Sequence, residues 1–260
     1  MKKSLYNLLI VSVLLLGISA CATTEKINQT ENQKTYSIDS TLDAYSKLDT
    51  IFRNLIVSYK SQLDEEMNMV ISIADEEMVT AKPESQLSNF IADGMLQIGK
   101  TFCKDNGLLH SVDLAIMNLG GIRTGMPKGE IRTGRMFEML PFKNKLVIVG
   151  MKGGDLKTLL DQLAEFGGEG SSGFKMGIKD RKAIDVLVDG KIIDKEKIYY
   201  VISVDYLVNG GGNITAFKNR ETFRHMHQML RSEMIKYIRE NYKNGKHISA
   251  KLDGRIYHVE

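Results

Sequence analysis

The sequence predicts a mixed α/β fold in a single domain, and three observations carry that reading. Apolar residues fall at helical spacing in some segments and in short continuous or alternating runs in others, and the two patterns interleave along the chain. Glycines cluster where the short runs end. The composition is that of a globular protein: 43% apolar, 26% charged and three prolines in 260 residues, too apolar for a disordered chain. The net charge of +3 includes Lys2 and Lys3 of an N-terminal leader. No basic stripe of the kind a nucleic-acid polymer requires is present. Two cysteines make neither a disulfide framework nor a Cys-rich zinc site. Trp is absent, so stacking against a flat ligand falls to the nine Phe and ten Tyr.

Residues 1–20 read as a lipoprotein signal peptide. Met1–Lys3 is a positive start, and Leu5–Ile18 is an almost unbroken apolar run. At about 1.5 Å per residue the run spans roughly 21 Å, short of the roughly 30 Å hydrocarbon core, which suits a cleaved signal better than a spanning helix. It ends in Ile18-Ser19-Ala20-Cys21, which resembles a bacterial lipoprotein box, so Cys21 is the expected lipidation site. Acyl chains contribute about 0.8 kcal/mol per buried CH₂ and anchor without spanning. Ala22 follows the cysteine in place of an Asp, which favours the outer over the inner membrane of a bacterial cell envelope. Residues 21–38 are then the lipidated Cys and a polar, flexible tether, and residues 39–260 the folded domain.

Within that domain, Leu48, Ile51, Phe52, Leu55, Ile56, Tyr59, Leu63 and Met67 predict a helix over 42–67 with one buried stripe. Residues 69–79 open as a strand. Pro83 starts a second amphipathic helix through Leu87, Phe90, Ile91, Met95, Ile98 and Phe102. Residues 113–118 form a short buried strand and 145–151 another. A helix over 155–166 closes at Gly167-Gly168. Asp189-Gly190 between alternating runs marks a hairpin over 185–194. Residues 198–208 read as an apolar strand and 221–242 as a long C-terminal helix.

Chemistry concentrates at two glycine-rich strand exits and one Pro-aromatic turn. In Asn118-Leu119-Gly120-Gly121-Ile122-Arg123, paired glycines let backbone amides approach a ligand, and Arg123 offers a planar fork for phosphate or hydroxyls. The second exit is Asp205-Tyr206-Leu207-Val208-Asn209-Gly210-Gly211-Gly212-Asn213, and the turn is Leu140-Pro141-Phe142. Singly, these patterns also suit tight turns, a solvated arginine and a buried corner; their order and spacing carry the signal.

That combination resembles the C-terminal, substrate-binding domain of the 5′-nucleotidase family. The resemblance begins near Asp64-Glu65-Glu66-Met67-Asn68 and runs through Pro83–Asp93, Asn118–Arg123, Leu140-Pro141-Phe142 and Tyr206–Gly212. It ends at Asp253-Gly254-Arg255-Ile256. It implies that Phe142 and Tyr206 sandwich a nucleobase, with Asn118, Gly120, Gly121, Arg123 and Asn209 around the nucleotide. Two positions depart from the family pattern. Gly212 stands where an acidic residue holds the ribose, leaving Asn213 as the substitute, and Ala81, beside Lys82, stands where an Arg is frequent.

The family's hydrolytic chemistry resides in a separate two-metal metallophosphatase domain, and this sequence has no Asp-x-His, Gly-Asn-His-Asp or Gly-His-x-His motif. Its histidines are His110, His225, His227, His247 and His258; His225 and His227, two apart on the expected helix, point to different faces. Cys103 reads as a buried hydrophobe and Asp64-Glu65-Glu66 as a solvated helix end. The expectation is therefore the nucleotide- or nucleoside-binding half of a split 5′-nucleotidase, with no catalytic residue, metal ligand or cofactor of its own. Divalent metals belong to a partner metallophosphatase subunit. The alternatives are a non-catalytic surface receptor for nucleoside scavenging and a degenerate interaction domain.

Overall fold

The computed structural model describes residues 46–260. The leader, Cys21, the tether and the expected domain start at residue 39 lie outside the described residues. Leu55–Glu260 form one compact unit; of the unit that ends at Asn54, only residues 46–54 are described. The first helix, α1, covers Ser46–Asn68. Its spacing gives the helix as expected, but the stripe is not buried: Leu55, Ile56, Tyr59 and Leu63 are each more than half exposed. Asp64, Glu65 and Glu66 are exposed near its end.

Three sheets follow. Strand β1 (Val70–Ala74) pairs antiparallel with β3 (Gly129–Arg132). A five-stranded sheet has the order β10-β4-β9-β2-β5, with β2 (Leu114–Met117), β4 (Lys145–Lys152), β5 (Gly170–Ser172), β9 (Ile198–Val204) and β10 (Thr222–Met229). Only β2 and β9 run parallel within it. A four-stranded sheet has the order β11-β6-β7-β8, built from β6 (Phe174–Lys179), β7 (Lys182–Val188), β8 (Lys191–Ile192) and β11 (Ile256–His258). The β7–β8 turn is Asp189-Gly190, both with positive φ, as the hairpin signal demands.

Helix α2 (Gln86–Asp105) starts at Ser85, whose hydroxyl accepts the Ser88 N–H. It packs on β2, β5, β9 and the C-terminal helix α6 (Leu230–Lys243), burying Leu87, Ile91 and Met95. Cys103 lies buried on this helix, and burial pushes its thiol pKa up, away from the thiolate a nucleophile needs. Helix α3 (Thr133–Met139) precedes the Pro-aromatic turn. Helix α4 (Gly153–Glu165) packs against β4, β9 and β7, and so contacts both larger sheets.

Two segments differ from the sequence expectation. The strand expected over 198–208 ends at Val204, and Asp205–Val208 form one helical turn, α5. The helix expected over 221–242 is a strand, β10, followed by α6 only from Leu230. On a strand, residues two apart share a face, so His225 and His227 stand together, ring centroids 5.5 Å apart, rather than on different faces.

Candidate functional site

Sheet topology gathers the three motifs at one edge. Because β2 and β9 are parallel, Leu114 facing Val201, their C-terminal ends emerge on the same side and launch the two glycine loops. Strand β4 runs the other way, with Leu146 opposite Val204, so Phe142–Asn144 arrive at that side too. Strand β5, with Gly170 opposite Met117, adds Glu169. At this end of the sheet β2 and β9 finish while β4 and β5 begin, and the loops joined to them are free to vary on a fixed scaffold.

The first loop is one turn of 3₁₀ helix, Leu119–Gly121. Gly121 packs closely: a Cβ there would push aside Met117 Cε and sit 3.2 Å from Asn118 Oδ1. Asn118 Oδ1 is buried and has no hydrogen-bond partner among the described residues. Buried acceptors are nearly always satisfied, so this one suits a ligand donor. Gly120 is exposed, as is Arg123, whose backbone N–H donates to Met139 O at 2.9 Å.

The Pro-aromatic turn is held from behind. Arg231 of α6, 9% exposed, donates through Nη1 to Leu140 O at 2.9 Å and Pro141 O at 3.1 Å. Its guanidinium lies 4.0 Å from the centroid of Phe137, and burial lowers its pKa. Phe142, released beyond this clamp, is 48% exposed. Together with Met117, Gly121 and Leu140 it lines a small crevice under the first loop.

Tyr206 sits on the second loop and is 49% exposed. Its hydroxyl accepts the Gly212 N–H at 3.1 Å, and its ring lies against Gly211, where a Cβ would come within 2.6 Å of Cε1 and Cε2. Asp205 ties this loop to the turn, its Oδ1 accepting Lys145 N–H at 3.0 Å and Tyr206 N–H at 2.9 Å. Asn209, Gly212 and Asn213 are exposed, and Asn213 has a left-handed backbone, φ 60. All eight residues expected around a nucleotide thus reach one edge. They form an open platform; a cleft of about 560 Å³ between α2 and α6 shares no residue with them.

The remaining motifs build a different object. Arg255, at the entry to β11, donates to both carboxylate oxygens of Asp93, at 2.7 and 3.2 Å, and to Asp253 at 2.8 and 2.9 Å. It also reaches Ser171 O at 2.9 Å. Glu84 Oε1 accepts from Asn89 Nδ2 at 2.6 Å and from Asp253 N at 2.9 Å. Burial opposes the charge of Arg255, but Asp253 and Asp93 outweigh it and raise its pKa. The hydrogen bond from Arg255 holds Asp253 below the ordinary carboxylate range. These residues fasten the start of α2 to the C-terminal strand.

Arg231 and Glu169, which shape the edge, belong to none of the sequence motifs, and Asp205 is part of one without a role of its own. The signal for Glu169 was there: a carboxylate between two glycines directly after a helix. Among the described residues no group of three or more His, Cys, Asp or Glu is placed to hold a metal.

A sequence model of the 5′-nucleotidase C-terminal domain matches residues 63–219. The trifunctional nucleotide phosphoesterase protein YfkN of Bacillus subtilis is 27% identical over 226 residues, covering 77% of this chain and 14% of that protein. A probable 5′-nucleotidase of Treponema pallidum is 34% identical over 90 residues, 34% of this chain and 14% of that protein. The solved structure of the 5′-nucleotidase precursor from Thermus thermophilus superimposes with a TM-score of 0.65 at 27% identity, over 82% of this chain and 44% of that one. The chain thus spans less than half the length of each of these proteins.

Proposed function

The chain belongs to the 5′-nucleotidase C-terminal domain family, and from that premise we propose that it is the nucleotide- or nucleoside-binding half of a split 5′-nucleotidase. It presents the substrate phosphate to a metallophosphatase on a separate polypeptide. The observation that carries this reading is the shared edge: two half-exposed rings, a buried acceptor without a partner and an exposed arginine all lie on the loops where β2 and β9 end and β4 begins. In this reading Phe142 and Tyr206 stack on the base, a contact worth about 1–3 kcal/mol per base in single-strand binders and tolerant of base identity. Asn118 and Arg123 hold sugar and phosphate. Gly120 and Gly121 allow the close approach, and Asn209 and Asn213 supply amides where Gly212 supplies no acid. Lipidation at Cys21 keeps the protein on the bacterial envelope, at the outer membrane.

Calorimetry of the purified chain against adenosine, AMP, UMP and UDP-glucose tests the reading. Saturable binding of at least one is expected; no heat from any of the four would overturn it. Arg123→Ala should weaken AMP more than adenosine. The chain alone should leave AMP intact with Mn²⁺ or Zn²⁺, and a matching metallophosphatase should restore turnover. Binding without turnover in any pairing would instead describe a surface nucleoside receptor. Cys21→Ser should move the protein out of the membrane fraction and change its mass.

A further inference from the structure

We propose that Glu169 is a positioning residue of this edge, and that Lys82 holds its carboxylate so that it locks the Asn118–Arg123 loop in its ligand-accepting shape. The consequence for affinity rests on the nucleotide reading above; the lock itself does not.

The loop needs such a partner. Within Leu119–Gly121 the backbone bonds run Gly121 N to Asn118 O at 3.0 Å and Ile122 N to Leu119 O at 2.9 Å. The Leu119 N–H, at the start of the turn, lies outside that ladder. Glu169 Oε2 accepts it at 2.5 Å, reaching from the start of β5, 50 residues away along the chain. The other carboxylate oxygen, Oε1, lies 3.7 Å from Lys82 Nζ, and the Glu169 side chain is only 12% exposed. Lys82 Nζ also donates to Phe166 O, the C-cap carbonyl of α4. One chain of contacts therefore runs from the end of α4, through Lys82 and Glu169, to the backbone of the first loop.

A buried carboxylate is a costly way to satisfy a single N–H. What it adds is direction, because a charge-assisted bond is short and oriented. Fixing the backbone at Leu119 fixes the residue before it, Asn118, whose Oδ1 stays buried with no partner of its own. Without the lock that acceptor would turn to the nearest donor or to water.

Three variants test this: Glu169→Leu removes acceptor and charge, Glu169→Gln keeps an acceptor, and Lys82→Met removes only the counter-charge. For each, hydrogen exchange of the 118–123 amides, AMP affinity by calorimetry and the melting temperature are measured on the whole chain. Glu169→Leu should speed exchange in 118–123 by tenfold or more, without matching acceleration in α2, and weaken AMP about tenfold. Glu169→Gln should fall between it and the parent, and Lys82→Met closest to the parent. A folded Glu169→Leu with parental loop exchange and parental AMP affinity overturns the proposal, as does acceleration spread evenly over the protein. If Glu169→Leu does not fold, Glu169→Gln decides by the same two criteria. If the parent itself binds no nucleotide, the nucleotide reading has failed, and loop exchange alone still judges the lock.

Discussion

At the loop edge, Phe142 and Tyr206 leave about half of each ring exposed, and Asn118 keeps a buried acceptor without a partner. Around Arg255, by contrast, the guanidinium engages Asp93, Asp253 and a main-chain carbonyl together, and Glu84 is satisfied by Asn89 and by the Asp253 backbone. Both regions come from the same set of ordered motifs. Polar groups that spend every valence on the protein hold a fold; polar groups and rings left partly unspent are available to a ligand. A motif shared across a family can serve either end, and only the hydrogen-bond ledger tells them apart.

The contrast can be broken most forcefully at Arg255. Arg255→Met leaves Asp93 and Asp253, each about half exposed, without their shared cation and strips Ser171 O of its donor, and should cost about 2 kcal/mol of stability. At about 2–4 °C per kcal/mol for a domain of this size, thermal unfolding should drop by roughly six degrees. Nucleotide affinity, measured where the variant is still folded, should stay near that of the parent. The reverse is expected at the edge. Phe142→Ala and Tyr206→Ala should each lose about 1–3 kcal/mol of affinity, tenfold or more. Their unfolding should shift little, since each removes a half-exposed ring. If Phe142→Ala instead lowered stability by several degrees and lost binding in proportion, Phe142 would be a core corner residue.

Gly211→Ala sharpens the comparison further. The added methyl would collide with the Tyr206 ring and with its main-chain carbonyl oxygen, 2.5 Å away, so the ring must swing aside and the loop backbone must shift with it. Calorimetry should show weaker nucleotide binding, a smaller loss than Tyr206→Ala, with the core unaffected.

The smallest effect separates the regions by pH. Arg255 holds Asp253 below the ordinary carboxylate range, so its contribution is present above about pH 4 and is lost as pH falls through the lowered pKa. Burial raises Glu169 above that range, so the folded state binds this proton more tightly than the unfolded chain. Its ionised form costs stability at neutral pH, and the cost is relieved as pH falls through the raised pKa. Denaturant titrations across acid pH should show Asp253→Asn flattening the parent's profile below the ordinary range and Glu169→Gln flattening it above.

Much of this was legible in the sequence. The strand exit at Asn118 and the Leu140-Pro141-Phe142 turn lie where glycines and proline announce them, and α2, β4 and α4 follow their apolar periods; β9 stops at Val204, short of the expected Val208, because Asp205–Val208 turn into a helix before the glycines. The strand β10 was not legible. Phe223, Met226 and Leu230 fall at helical spacing, and on this edge strand Met226 is the one buried residue among 222–229, so no apolar alternation marks it. Strand β6 goes unassigned although Phe174, Met176 and Ile178 alternate with Lys175, Gly177 and Lys179. The stripe of α1 shows why periodicity is half an answer: spacing specifies the helix but not what it meets. Arg231 and Glu169 escape because an isolated charged residue looks solvated until the fold encloses it.

The parallel pairing of β2 with β9 has a consequence for the order of folding. Its contacts, such as Ser203 Oγ to Ile116 O, join residues 87 positions apart, and closing so long a loop is slow relative to local hairpins and helices. The platform for Asn118 and Tyr206 exists only after that closure. The hairpin of β7 and β8 and the helix α4 can form earlier from neighbouring residues, but none of them offers a ligand any purchase. Nucleotide affinity should therefore be among the last properties to appear during refolding, and a bound nucleotide would favour the completed pairing over every partly folded chain.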